Sequence, residues 1–150
     1  VASTSGTSIT FTGIPSGVKR ITVMFNGVST SGTANYLVQI GAGSVTSSGY
    51  LSYSSYAGGT NNAGNTSSTA GFIIFSNEAA NLFYGHVICT LVGSNIWVCS
   101  GVIGLNALGT PFTVQTGGNV TLSGTLDRVV ITTSNGTDTF DAGSINILYE

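Results

Sequence analysis

Apolar residues recur along this chain with a period of two. Ile21, Val23 and Phe25 alternate with Arg20, Thr22 and Met24, and Ile145, Ile147 and Tyr149 alternate with Asn146, Leu148 and Glu150. Such alternation puts one set of side chains on one face of a strand, so both apolar rows are expected to point inward or into a subunit interface. Nowhere does a longer segment keep the 3.6-residue spacing of an amphipathic helix, and glycine or a β-branched residue interrupts every candidate. Short runs rich in Val, Ile, Thr, Tyr and Phe instead end at Gly, Asn or Ser about every eight to twelve residues, which is the signature of an all-β sandwich or barrel. The pattern predicts strands at Ser8 to Thr12, Val18 to Phe25, Tyr36 to Gly41, Val45 to Tyr53, Gly71 to Ser76, Leu82 to Val92, Ile96 to Ile103, Phe112 to Thr116, Asn119 to Ser123, Arg128 to Thr133 and Thr137 to Tyr149. Roughly ten strands with short links suit an all-β fold, an antiparallel, jelly-roll-like β-sandwich spanning the whole chain as one domain.

Turn chemistry adds register. Asn135-Gly136 is expected to close a two-residue hairpin, with Ile131 facing Phe140, Thr133 facing Asp138, and Arg128 diagonally across from Asp141 as its partner. Gly93-Ser94-Asn95 predicts a second hairpin that sets Cys89 opposite Cys99 and places Trp97 in the core. A disulfide is geometrically conceivable there. In a protein assembled in reducing cytosol, the expectation is two small buried hydrophobes with free thiols.

Charge narrows the functional classes. Only 5% of the 150 residues are charged, three basic (Lys19, Arg20, Arg128) and five acidic, for a net charge of −2. Ser, Thr, Gly and Asn make up half the chain, while the hydrophobic share is an ordinary 41%. Three scattered cations cannot supply the basic cluster that nucleic acid or an anionic membrane surface requires. The longest uninterrupted apolar stretches, such as Phe72 to Phe75, fall far short of the roughly 20 residues that span a bilayer, so no membrane insertion is expected. With so few charges, a sizeable apolar face is expected to be covered by other copies of the chain.

Catalytic chemistry is sparse. Two cysteines and the single histidine, His86, lack metal-ligand spacing, and no metal or other cofactor is expected. His86 lies in a strand-like run and reads as structural or exposed. The carboxylates Glu78, Asp127, Asp138 and Asp141 form no recognisable glycosidase pair, and no Gly-x-Ser-x-Gly elbow accompanies the many hydroxyls. The domain is therefore expected not to be an enzyme.

Three stretches carry a family likeness. Phe11 to Ser29 (FTGIPSGVKRITVMFNGVS), the hairpin Leu91 to Ser100, and the closing runs Leu122 to Thr133 (LSGTLDRVVITT) and Gly143 to Glu150 (GSINILYE) resemble the C-terminal domain of tailed-bacteriophage tail fibres and tailspikes. The resemblance implies a β-sandwich at the distal end of a longer fibre chain, a homotrimer on the virion that contacts the bacterial surface. Val1 and the strand-like ending at Glu150 are read as the limits of such a C-terminal domain. Three roles compete: a non-catalytic module binding surface polysaccharide or lipopolysaccharide, a structural trimerisation cap whose parent chain recognises or depolymerises glycan upstream, and, behind these two, a hydrolase acting on surface glycans.

The recognition surface is expected in Tyr50 to Ser68. Tyr50, Tyr53 and Tyr56 lead into Ala57 to Ser68, a stretch without charge or proline that reads as a long loop. Tyrosine mixed with Ser, Gly and Asn is the composition of antibody loops, where rings give rigid contact area and small polar groups give adaptable hydrogen bonds. Sugars offer apolar C–H faces to a ring and hydroxyls to an amide. The expected ligand-binding residues are Tyr53, Tyr56, Asn61, Asn62 and Asn65.

Overall fold

The computed structural model describes residues 1–58, 62–107 and 110–150. Among these residues twelve strands follow one another: β1 (Ser8–Thr12), β2 (Arg20–Thr30), β3 (Tyr36–Ala42), β4 (Ser44–Val45), β5 (Leu51–Gly58), β6 (Asn62–Ser68), β7 (Phe72–Ile74), β8 (Leu82–Gly93), β9 (Ile96–Ala107), β10 (Thr110–Thr121), β11 (Arg128–Thr133) and β12 (Phe140–Tyr149). They form two antiparallel sheets, as the alternation predicts. One has seven strands in the order β12-β2-β8-β9-β10-β5-β6; the other runs β1-β11-β3-β4, with β7 beside β3 as its fifth strand. No helix among the described residues is long and apolar enough to cross a membrane.

The core lies between the sheets. Ile21, Val23, Phe25, Val87, Trp97 and Ile103 reach into it from the seven-stranded sheet, and Ile9, Val38, Ile40, Val129 and Ile131 from the other. One side of the sandwich is closed by hydroxyls. Backbone groups of β7 and its flank that β3 does not pair are satisfied by the larger sheet: Ile73 N–H donates to Ser52 Oγ (2.9 Å), Phe75 N–H to Ser54 Oγ (3.1 Å), and Thr116 Oγ1 donates to Ile73 O (2.6 Å). Ser52 and Ser54 thus face inward because the edge of β7 needs partners there, since a buried unpaired backbone group is costly.

Several expected elements differ. The Gly93 region forms the predicted hairpin, with Ser94 (φ 49°) and Asn95 (φ 62°) both left-handed as a type I′ turn requires. Its register sets Cys89 against Cys99. The two cysteines are disulfide-bonded, with Cα atoms 4.1 Å apart, and are not the free thiols expected, because strand pairing brings their side chains together on the core face. Asn135-Gly136 turns the chain but closes no hairpin: β11 and β12 belong to different sheets. Only Gly136 is left-handed (φ 68°), while Asn135 Oδ1 accepts the N–H groups of Thr137 and Asp138 at 3.0 and 3.2 Å. The side chain thereby holds an open turn that crosses between sheets.

The expected pairing of Arg128 with Asp141 is overturned with that hairpin. Arg128 Nε and Nη2 donate to Asp127 at 2.8 and 3.2 Å, whereas Asp141 accepts the Ser29 hydroxyl. The guanidinium holds the Asp127 carboxyl below its usual value, with help from the Gly43 N–H. Gly117-Gly118 does not end a strand: β10 continues through it because β9 and β5 pair it on both sides. Val45 to Tyr53 divides between β4 and β5. Tyr149 is exposed, unlike Ile145 in the same row, because it ends the edge strand β12.

Tyr50 shows the cost of burying a polar tip. Its hydroxyl accepts the Ile40 N–H (2.9 Å) and lies within donating distance of the carbonyls of Ile40 and Thr46, and burial pushes its pKa up to about 12. An unfolded tyrosine ionises near 10, so the folded state binds this proton more tightly. The resulting stability, about 3 kcal/mol, is present below pH 10 and lost as pH rises through 12. Burial shifts Tyr36 in the same direction. Denaturant midpoints are expected to fall steeply across that alkaline window; a flat profile would contradict the burial of the phenol.

Candidate functional site

The segment Asn62–Ser68, expected as loop, is strand β6, antiparallel to β5. Its sequence has low strand propensity, and pairing with β5 supplies what propensity does not. Alternation along β5 then sorts the tyrosines. Leu51, Tyr53, Ser55 and Ala57 face solvent, whereas Ser52, Ser54 and Tyr56 turn inward. Tyr56 stacks on Phe75 (centroids 4.1 Å, planes 19° apart) and meets Phe112 edge-on at 6.1 Å. Its ring also covers Gly64, where any Cβ would collide with it. Tyr56 is therefore a packing residue and leaves the expected site. Tyr50 is fully buried.

The other expected site residues are placed as follows. Tyr53 is 64% exposed on the outer face of the seven-stranded sheet. Asn65 sits on the same face, paired with Ser55 one step along the sheet. Asn62 pairs its backbone with Gly58, and Asn61 lies outside the described residues. Tyr53 and Asn65 are thus brought together, and Tyr56 is separated from them by the pleat.

Around Tyr53 lies an open groove of about 460 Å³, with Ser55, Asn65, Ser67, Gln115 and Gly117 among its lining residues. A second hollow of about 270 Å³ shares Tyr53 and Ser67, so the ring stands between the two. Neither hollow is lined by a charged residue. Ser54 and Thr116 at the base are engaged in internal hydrogen bonds. The side chains of Ser55, Asn65, Ser67 and Gln115 hydrogen-bond to no other described residue and are exposed. The arrangement offers a ring face with amides and hydroxyls that both donate and accept. Ser55 and Ser67 follow from Tyr53 by strand alternation once β6 is recognised. Gln115 and Gly117 come from a strand about 60 residues away, and only the register of β10 on β5 brings them in.

The rest of this outer face mixes apolar side chains with exposed polar ones such as Thr90, Ser100, Asn119 and Asn146. Met24, Tyr84, Val98, Val102 (57% exposed) and Leu148 are exposed on β2, β8, β9 and β12. His86 sits among them, exposed, opposite Met24 and Val102. Among the described residues no three His, Cys, Asp or Glu side chains gather as metal ligands would. No family model, no curated protein and no solved structure matches this sequence.

Proposed function

We propose that this chain is a non-catalytic recognition module at the tip of a phage tail fibre or tailspike, binding bacterial surface polysaccharide or lipopolysaccharide at the host surface. The observation that carries the reading is the uncharged groove around Tyr53, with hydrogen-bonding groups that the fold leaves unused. The sequence resemblance of the chain ends and the Leu91 to Ser100 hairpin supports the setting on a virion. The Cys89–Cys99 disulfide suits a domain that works outside the reducing cytoplasm. The purified chain is expected to bind the host's surface polysaccharide, and Tyr53→Ala to weaken that binding about tenfold while the melting curve stays unchanged, since Tyr53 makes ring contact with ligand and little with the core. Unaltered binding by the variant would move the site elsewhere.

The apolar part of the same face favours a second role, assembly of the fibre end as a homotrimer. Met24, Val98, Val102 and Leu148 are exposed apolar side chains, interspersed with Thr22, His86 and Ser100, that a partner copy would cover. Light scattering at micromolar concentration is expected to report an oligomer; a monomer would remove this role and leave the groove reading standing.

A further inference from the structure

We infer that the groove takes a neutral glycan laid along β5 across the Tyr53 ring, and discriminates against acidic sugars. The inference rests on the glycan-binding reading above and adds the chemical class of ligand.

Charge placement is the first argument. Arg128 is held by Asp127 at the start of β11, in the opposite sheet. Arg20 opens β2, three strands from β10 in the sheet order, and Lys19 immediately precedes it. No cation lines either hollow beside Tyr53. A carboxylate-bearing sugar settling there would lose hydration without gaining a counter-charge, which is unfavourable. Neutral hydroxyls lose little, because Ser55, Asn65, Ser67 and Gln115 replace the water they give up.

Gly117 is the second argument. It sits in the interior of β10 between Ser100 of β9 and Tyr53 of β5. A Cβ there would meet nothing nearer than the Cys99 carbonyl oxygen at 3.8 Å, an ordinary contact, and its φ is not left-handed. Its neighbour Gly118 differs, since a Cβ at that position would collide with the Leu51 carbonyl. Neither packing nor backbone conformation within the chain calls for glycine at 117, and a strand glycine of this kind is a place where a ligand can approach the backbone closely. The bare backbone beside the Tyr53 ring forms a floor on which the C–H face of a sugar can lie flat. Hollows on both sides of the ring extend that floor, which suits successive units of a linear chain.

The test uses the intact chain and immobilised polysaccharides: neutral glucan, mannan and galactan, acidic polygalacturonate, and the same polygalacturonate after chemical reduction of its carboxyl groups. Retention is expected on neutral polymers, with little change when salt is raised. The carboxyl-reduced polymer is expected to bind about tenfold or more tightly than its acidic parent. Gly117→Val is expected to weaken binding by a similar factor while melting at no lower temperature than wild type. Preference for the acidic parent, or full binding by Gly117→Val, would overturn the inference and leave glycan recognition intact. Retention on none of these polymers would overturn the inference, and retention neither on them nor on the host's own surface polysaccharide would overturn the glycan reading itself.

Discussion

Val23→Asp is expected to yield no soluble, folded protein. Val23 is wholly buried, between Val87 of β8 and Ile147 of β12 and in one row with Ile21 and Phe25. No basic residue belongs to the core cluster there. An aspartate at this position either stays ionised at great cost or takes up a proton. Keeping it neutral at pH 7 costs about 4 kcal/mol, from about 1.36 kcal/mol for each unit above its ordinary value near 3.9. Losing the valine's burial adds about 1.5–3 kcal/mol. The sum is comparable with the whole stability of a typical domain, about 5–15 kcal/mol. Expression and solubility of the variant provide the check, and a normally folded Val23→Asp would mean that β2 has its faces reversed.

Removing the disulfide comes next in size. The Cys89–Cys99 link closes a loop of 10 residues across the β8–β9 hairpin. Restricting the unfolded chain to that extent is worth about 3 kcal/mol. For a chain of this length the double variant Cys89→Ala/Cys99→Ala is then expected to melt about 6–12 °C lower. The same drop should follow reduction of the wild-type protein. Two free thiols titrated in the unreduced, denatured protein would show that the sulfurs are not joined.

How much of this was legible in the sequence depends on whether the signal was local. β1 and β11 match their predicted limits because period-two alternation and flanking turns lie within the segments themselves. The Gly93 hairpin is local in the same sense, and with it the register of Cys89 on Cys99. What composition could not reveal is which strand pairs with which. Asn135-Gly136 reads as a hairpin from its dipeptide alone, yet the strands it joins are drawn to different sheets, β11 beside β3 and β12 beside β2. Asn62–Ser68 resembles a loop in every residue and becomes a strand because β5 presents an unpaired edge. The site shows the same division. Tyrosine, asparagine and serine in one region put Tyr53 and Asn65 in one expected site, and the structure sets both on one sheet face; reading the region as a loop hid the pleat that sends Tyr56 to the core. Gln115 and Gly117 were invisible for want of the β10–β5 register.

The proposed ligand contact is on the outer face of the seven-stranded sheet at Tyr53. Its most direct test is an amide-resolved NMR titration of the chain with oligosaccharides cut from the host's surface polysaccharide. Resonances of Tyr53, Ser55, Asn65, Ser67, Gln115 and Gly117 are expected to move together and saturate, while those of β1 and β11 in the other sheet stay still. Shifts centred on β1 and β11, or none at saturating oligosaccharide, would contradict it.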